Sequence, residues 1–238
     1  MAAEAEWTGA GFHGKLPIRG DFVTRNLPAP VVEVLDGWLQ DGIAASRDRL
    51  GTGWLDLYLT SPIWHFALDA GIAGSSALTG LMIPSVDQVG RYFPLLVLGP
   101  LAGTGNLFEG ALRHRSWRER AEKAALLALD EGVALDRFER EVAALGAPDG
   151  GAPDGGTPVG GAGTTLLEAA AGLAEETLRA RHGERISLWW TEGSERVTPA
   201  LLAAAGLPPA GLFNSLLNGE WARLDGLAVS VRPLGVQA

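Results

Sequence analysis

Between Trp54 and Leu98 the chain carries four runs: Trp54-Leu55-Asp56-Leu57-Tyr58-Leu59, Ile63-Trp64-His65-Phe66-Ala67-Leu68, Ala77-Leu78-Thr79-Gly80-Leu81-Met82-Ile83 and Phe93-Pro94-Leu95-Leu96-Val97-Leu98. Their aromatic and β-branched content and the Gly or Pro that bound them predict strands. The connections between them are short. Parallel neighbours need a long crossover, so these strands pair antiparallel. Working outward, Trp7 to Lys15, Arg185 to Thr191 and Leu227 to Val231 read as further strands.

Helices flank this meander. Pro30 suits a first helical position, and Val31, Val34, Leu35, Trp38 and Leu39 follow at helical spacing, up to about Leu50 and a stop at Gly51. A second helix opens at Asn106, with Glu109 facing its free amides, and reaches Asp130. Leu135 to Leu145 fits a third. Thr165 with Glu168 forms a capping box for a helix ending near Gly183, and Thr198-Pro199 opens another that Gly206 closes. Helices before and after the strands can cover both sheet faces. The expected fold class is α+β: a layered α/β/α domain with a mainly antiparallel central sheet covered by helices.

Ala147 to Gly163 reads APDGG-APDGG-TPVGG-AG. Such a segment cannot bury enough apolar surface to offset its ordering entropy, so it reads as a disordered loop. Long insertions cost little thermodynamically. The expectation is one domain over residues 1–238 with residues 147–163 inserted in it.

The 238 residues include no Cys, which removes disulfide frameworks, Cys-ligated zinc and thiol catalysis. The net charge of −9 argues against nucleic-acid binding through a basic surface. Met1 to Trp7 holds Glu4 and Glu6 and no Lys or Arg, unlike a secretory leader. No apolar run approaches the ~18 residues of a membrane span. A cytoplasmic protein without membrane insertion is expected.

Several motifs imitate chemistry. Gly9, Gly11 and Gly14 match a dinucleotide fingerprint, and Gly9 to Lys15 matches most of a P-loop. Both need a helix immediately afterwards. Leu16-Pro17-Ile18-Arg19-Gly20-Asp21 follows instead, with Leu16 in place of the hydroxyl that would bind Mg²⁺. Arg19-Gly20-Asp21 matches an integrin tripeptide in spelling only. His13, His65, His114 and His182 show no metal spacing, and His65 reads as a hydrogen-bonded structural histidine. His13, Ser85 and Asp87 lack the nucleophile elbow of a hydrolase. No cofactor or metal is expected. The helix from Asn106 carries Arg113, His114, Arg115, Arg118, Arg120 and Lys123, with Arg115–Glu119, Arg118–Glu122 and Glu119–Lys123 at ion-pair spacing. It is the most basic patch, and a partner contact there is open. Trp189-Trp190 in a strand would send one ring to each face.

Two denser motifs remain: Gly11-Phe12-His13-Gly14-Lys15-Leu16-Pro17-Ile18-Arg19-Gly20-Asp21-Phe22 and Pro84-Ser85-Val86-Asp87-Gln88-Val89-Gly90-Arg91-Tyr92-Phe93-Pro94-Leu95. With Ser61-Pro62-Ile63-Trp64-His65-Phe66 and Ser187-Leu188-Trp189-Trp190, in this order, they resemble the TagF (ImpM) family of type VI secretion accessory proteins. The resemblance spans about Gly11 to Trp221. It implies a non-enzymatic cytoplasmic regulator that represses secretion after translation. Its implied partner is the forkhead-associated scaffold protein of the system, whose threonine phosphorylation switch it opposes. One position departs: His65 stands where the family commonly has arginine, which puts that arginine's charge contact in doubt.

The residues themselves point to a site. Lys15, Arg19 and Asp21 lie near one turn, and Ser85, Asp87 and Arg91 near another. Polar residues among Gly and Pro occupy loops, where binding concentrates. The two loops are expected to meet in one charged cluster, through pairs such as Asp21–Arg91 or Lys15–Asp87. The cluster either holds the loops together or contacts a partner. The alternatives to the regulator are a small-molecule or nucleotide-binding enzyme built on Gly9 to Lys15 and a structural subunit of the secretion apparatus.

Overall fold

A computed structural model describes residues 7–101, 107, 114–130, 132–148, 174–221 and 229–233. Eight strands form one sheet: β1 (Gly11–Gly14), β2 (Val23–Arg25), β3 (Trp64–Leu68), β4 (Leu78–Ile83), β5 (Leu95–Pro100), β6 (Ile186–Thr191), β7 (Ala200–Ala205) and β8 (Val229–Pro233). Their order is β2-β1-β5-β4-β3-β6-β7-β8, and every pairing is antiparallel. The short connections of the meander produce the β3-β4-β5 run.

Helices cover both faces, as a layered α+β domain requires. On one face lie α1 (Ala29–Leu50), α2 (Trp54–Leu59) and α6 (Phe213–Asn218). Val31, Leu35, Trp38 and Leu39 of α1 pack on Trp64, Phe66, Leu96 and Trp189 of the sheet. On the other face lie α3 (Arg115–Leu127) and α4 (Leu135–Ala143), whose Trp117, Ala121, Phe138 and Val142 meet Phe12, Leu81, Leu95 and Val97. A further helix, α5 (174–182), stands before β6. Trp189 and Trp190 take opposite faces, following the two-residue alternation of a strand.

Four expectations change. Trp54 to Leu59 is helix, not strand. Its aromatics are spaced i, i+4, and the stacked rings of Trp54 and Tyr58 (4.8 Å between centroids) both enter the core. Residues 200–205 form strand, not helix, because β7 is held between β6 and β8. Glu122 bonds His65, with the Arg118 charge also acting on it, and the expected Glu119–Lys123 pair does not form among the described residues, where Glu119 pairs with Arg115. Strand β2 and helix α6 are additions to the elements expected from the sequence. The helix starts at Asn106 and at Thr165, and residues 149–163 of the Gly/Pro segment, lie outside the described residues.

Candidate functional site

The sheet order brings the two motifs together. β1 neighbours β5, which neighbours β4. The chain therefore leaves β1 at Lys15 beside the turn that joins β4 to β5. Gly14 permits this closeness: a Cβ there, where φ is +144°, would overlap the Pro94 carbonyl. Gly11 does the same towards the end of β2, since its Cβ would lie 2.5 Å from the carbonyl oxygens of Arg25 and Asn26. No helix follows Lys15; the next begins at Ala29. The glycine pattern thus serves strand packing, not a phosphate loop.

At the centre, Lys15 Nζ donates to Asp87 Oδ2 at 2.8 Å, and both side chains are buried. Arg91 Nε donates to the same oxygen at 2.7 Å, while the backbone amides of Val89 (3.1 Å) and Arg91 (2.8 Å) donate to Oδ1. Burial pushes the Asp87 carboxyl up, but the bonds from Lys15, Arg91 and Val89 outweigh it and hold the group well below the usual carboxylate range. Ser85 Oγ donates to the Lys15 carbonyl at 2.7 Å. The buried Tyr58 hydroxyl donates to Ser85 O (2.8 Å) and accepts from Ser85 N (2.9 Å). Desolvation raises that phenol well above its ordinary value.

The exposed members sit above this base. Gln88 N donates to Arg19 O at 2.9 Å, and Arg91 Nη2 donates to Gly20 O, so the loops are joined backbone to backbone and through a guanidinium. Asp21 does not pair with Arg91; its carboxylate accepts from the amide of Phe22 at 2.8 Å. Arg19 and Asp21 are exposed, and Arg91 keeps 57% of its side chain exposed. Phe22 is 41% exposed while its ring meets Phe93, His13 and the Lys15 ammonium. Val89 is 68% exposed. The loops therefore present Arg19, Phe22, Val89 and Arg91 together.

The chemistry is that of a locked scaffold. Lys15 is engaged by Asp87 and cannot cradle a phosphate. His13 bonds Thr24 (2.7 Å) and Asp36 (3.0 Å), so it does not line up with Ser85 and Asp87. Among the described residues no three His, Asp or Glu side chains converge as around a metal ion. Nor is any helix there long and apolar enough to cross a membrane. Phe22, Val89 and Tyr58 were missed in the sequence. An isolated apolar residue at a polar loop tip was the available signal for the first two. Elsewhere, His65 Nε2 meets Glu122 at 2.6 Å and its ring stacks on Trp190, so it is a hydrogen-bonded structural histidine.

The model of the TagF N-terminal domain, described as type VI secretion system-associated, matches residues 11–145. The crystal structure of PA0076 from Pseudomonas aeruginosa PAO1 at 2.05 Å resolution is similar, with a TM-score of 0.76 and 37% sequence identity. That similarity covers 97% of this chain and 100% of that one. No curated protein matches the chain.

Proposed function

Because the chain belongs to the TagF family of type VI secretion system-associated proteins, we propose that it is a post-translational repressor that works by binding the system's forkhead-associated scaffold protein in the cytoplasm. An accessory role in the secretion system follows from the family; the mode and the partner are our reading. The observation that carries it is the exposed rim of Arg19, Phe22, Val89 and Arg91 on a buried, fully bonded base. Aromatic and arginine side chains dominate binding energy at interfaces, and a rigid support lowers the entropy cost of docking. In this reading Lys15, Ser85 and Asp87 hold the loops, and Arg19, Asp21 and Arg91 face the partner. No catalysis is assigned to the site.

Calorimetry with the purified scaffold of the same organism, phosphorylated and not, tests this. Binding at about micromolar Kd or tighter is expected. Phe22→Asp and Val89→Asp should each weaken it at least about tenfold, or 1.4 kcal/mol, and Val89→Asp, whose side chain is 68% exposed, should do so without lowering the melting temperature. Absence of binding to both scaffold forms, or full binding by both variants, overturns the proposal.

A further inference from the structure

Helices α3 and α4 enclose a cleft of about 340 Å³ on the opposite sheet face from α1. Arg120, Lys123 and Leu127 of α3 form one wall, on successive turns of one helix face. Arg137 and Glu141 of α4, with Leu145 just beyond its end, form the other. Arg120 lies 3.5 Å from Ala144 O and 3.4 Å from Leu145 O, which ties α3 to the end of α4. Lys123 and Arg137 are exposed and make no ion pair with any described residue. Leu145 is buried and Leu127 half-buried, so the floor is apolar and the rims are cationic.

Three cations against one carboxylate is unusual in a chain whose net charge is −9. Elsewhere on these two helices exposed charges are matched: Arg115 with Glu119, Arg140 with Asp136 and Arg25 with Glu139. Surface pairing of that kind contributes little to stability. Leaving it out at the cleft therefore costs the fold almost nothing, while leaving two cations with no ion partner among the described residues.

We propose that the α3–α4 cleft is a docking site for an acidic amphipathic segment of a protein partner. Its apolar side chains would lie over Leu127 and Leu145, and its Asp or Glu carboxylates would pair with Lys123 and Arg137. Charge complementarity identifies the occupant. A helix laid in a groove with anchors one turn apart is a recurrent peptide-recognition mode. The inference does not rest on scaffold binding, since no cleft residue belongs to the rim of Arg19, Phe22, Val89 and Arg91.

The probe is a fluorescein-labelled synthetic helix with a leucine stripe flanked by glutamates, titrated with the full chain and followed by anisotropy and backbone amide shifts. Saturable binding is expected, with the largest shifts between Arg115 and Leu145. The double variant Lys123→Glu, Arg137→Glu should weaken binding at least about tenfold, whereas Lys123→Arg should retain it. Raising ionic strength should weaken it further, because the rim cations are exposed. Four results would overturn the proposal: no binding, shifts mapping elsewhere, equal binding by the double variant, or about tenfold preference for a phosphoserine version. The last would reassign the cleft to phosphate.

Discussion

At the residue scale the fold turns on one buried carboxylate. Asp87 receives Lys15, the Arg91 guanidinium and two backbone amides, which leaves none of its lone pairs wanting. Removing one member of a buried ion pair strands the other in a low-dielectric site, at a typical cost of about 3–5 kcal/mol. Lys15→Met should cost about 3 kcal/mol, the low end, because Arg91 still faces Asp87. Denaturant unfolding near pH 7 measures this. Asp87 also sets a pH dependence. Its folded-state value lies below the unfolded one of about 3.9, so its contribution is present in full above that value. The contribution disappears as pH falls through the depressed folded value. The stability gap between the natural protein and Asp87→Asn should therefore be constant from pH 7 to about 5 and shrink below about 4. A gap that widens on acidification contradicts the assignment. The sequence offered both Lys15–Asp87 and Asp21–Arg91 as pairs. Only the first forms, since the Asp21 carboxylate caps its own turn and Arg91 reaches Gly20. Local hydrogen bonds decided that choice, and they depend on backbone angles that residue types do not specify.

At the scale of elements, the strands of the meander were legible wherever apolar runs lay between turn residues. The two misreadings have opposite causes. In Trp54 to Leu59 the aromatic content suggested a strand, yet Trp54 and Tyr58 stand at helical spacing and their burial decides the matter. In Ala200 to Ala205 the Ala and Leu propensities favour helix, but two neighbouring strands supply a full set of ladder bonds. Tertiary pairing overrides propensities worth well under 1 kcal/mol per residue. Short β2 carried no pattern of its own. Its partner β1 depends on the glycine ending that strand. Gly14→Ala would force a Cβ into the Pro94 carbonyl at a positive φ, two penalties together, and should destabilise by more than about 3 kcal/mol. Guanidinium unfolding would show it; a loss below about 1 kcal/mol would mean that β1 and β5 can separate without strain.

At the scale of the whole molecule, β3 lies between β4 and β6. Segments on both sides of residues 147–163 thus share one sheet and one core that includes Trp64 and Trp189. A single domain should unfold in one cooperative transition. Tryptophan fluorescence, reporting both faces through Trp54 and Trp117, and far-ultraviolet circular dichroism should give superimposable curves. Two separated transitions would divide the chain at the Gly/Pro segment. The sequence alone determined the α+β class, the antiparallel meander, the long α1 and the family. Each rests on apolar period, turn residues or dense motifs, which are local in the chain. Only the tertiary structure decided which charges are buried and which are exposed. Burial of Lys15 and Asp87, exposure of Phe22 and Val89, and the gathering of cations at the α3–α4 cleft all arise where segments distant in sequence meet. Desolvation and Coulomb energy depend on distance and on the surrounding dielectric, and neither is written into residue order.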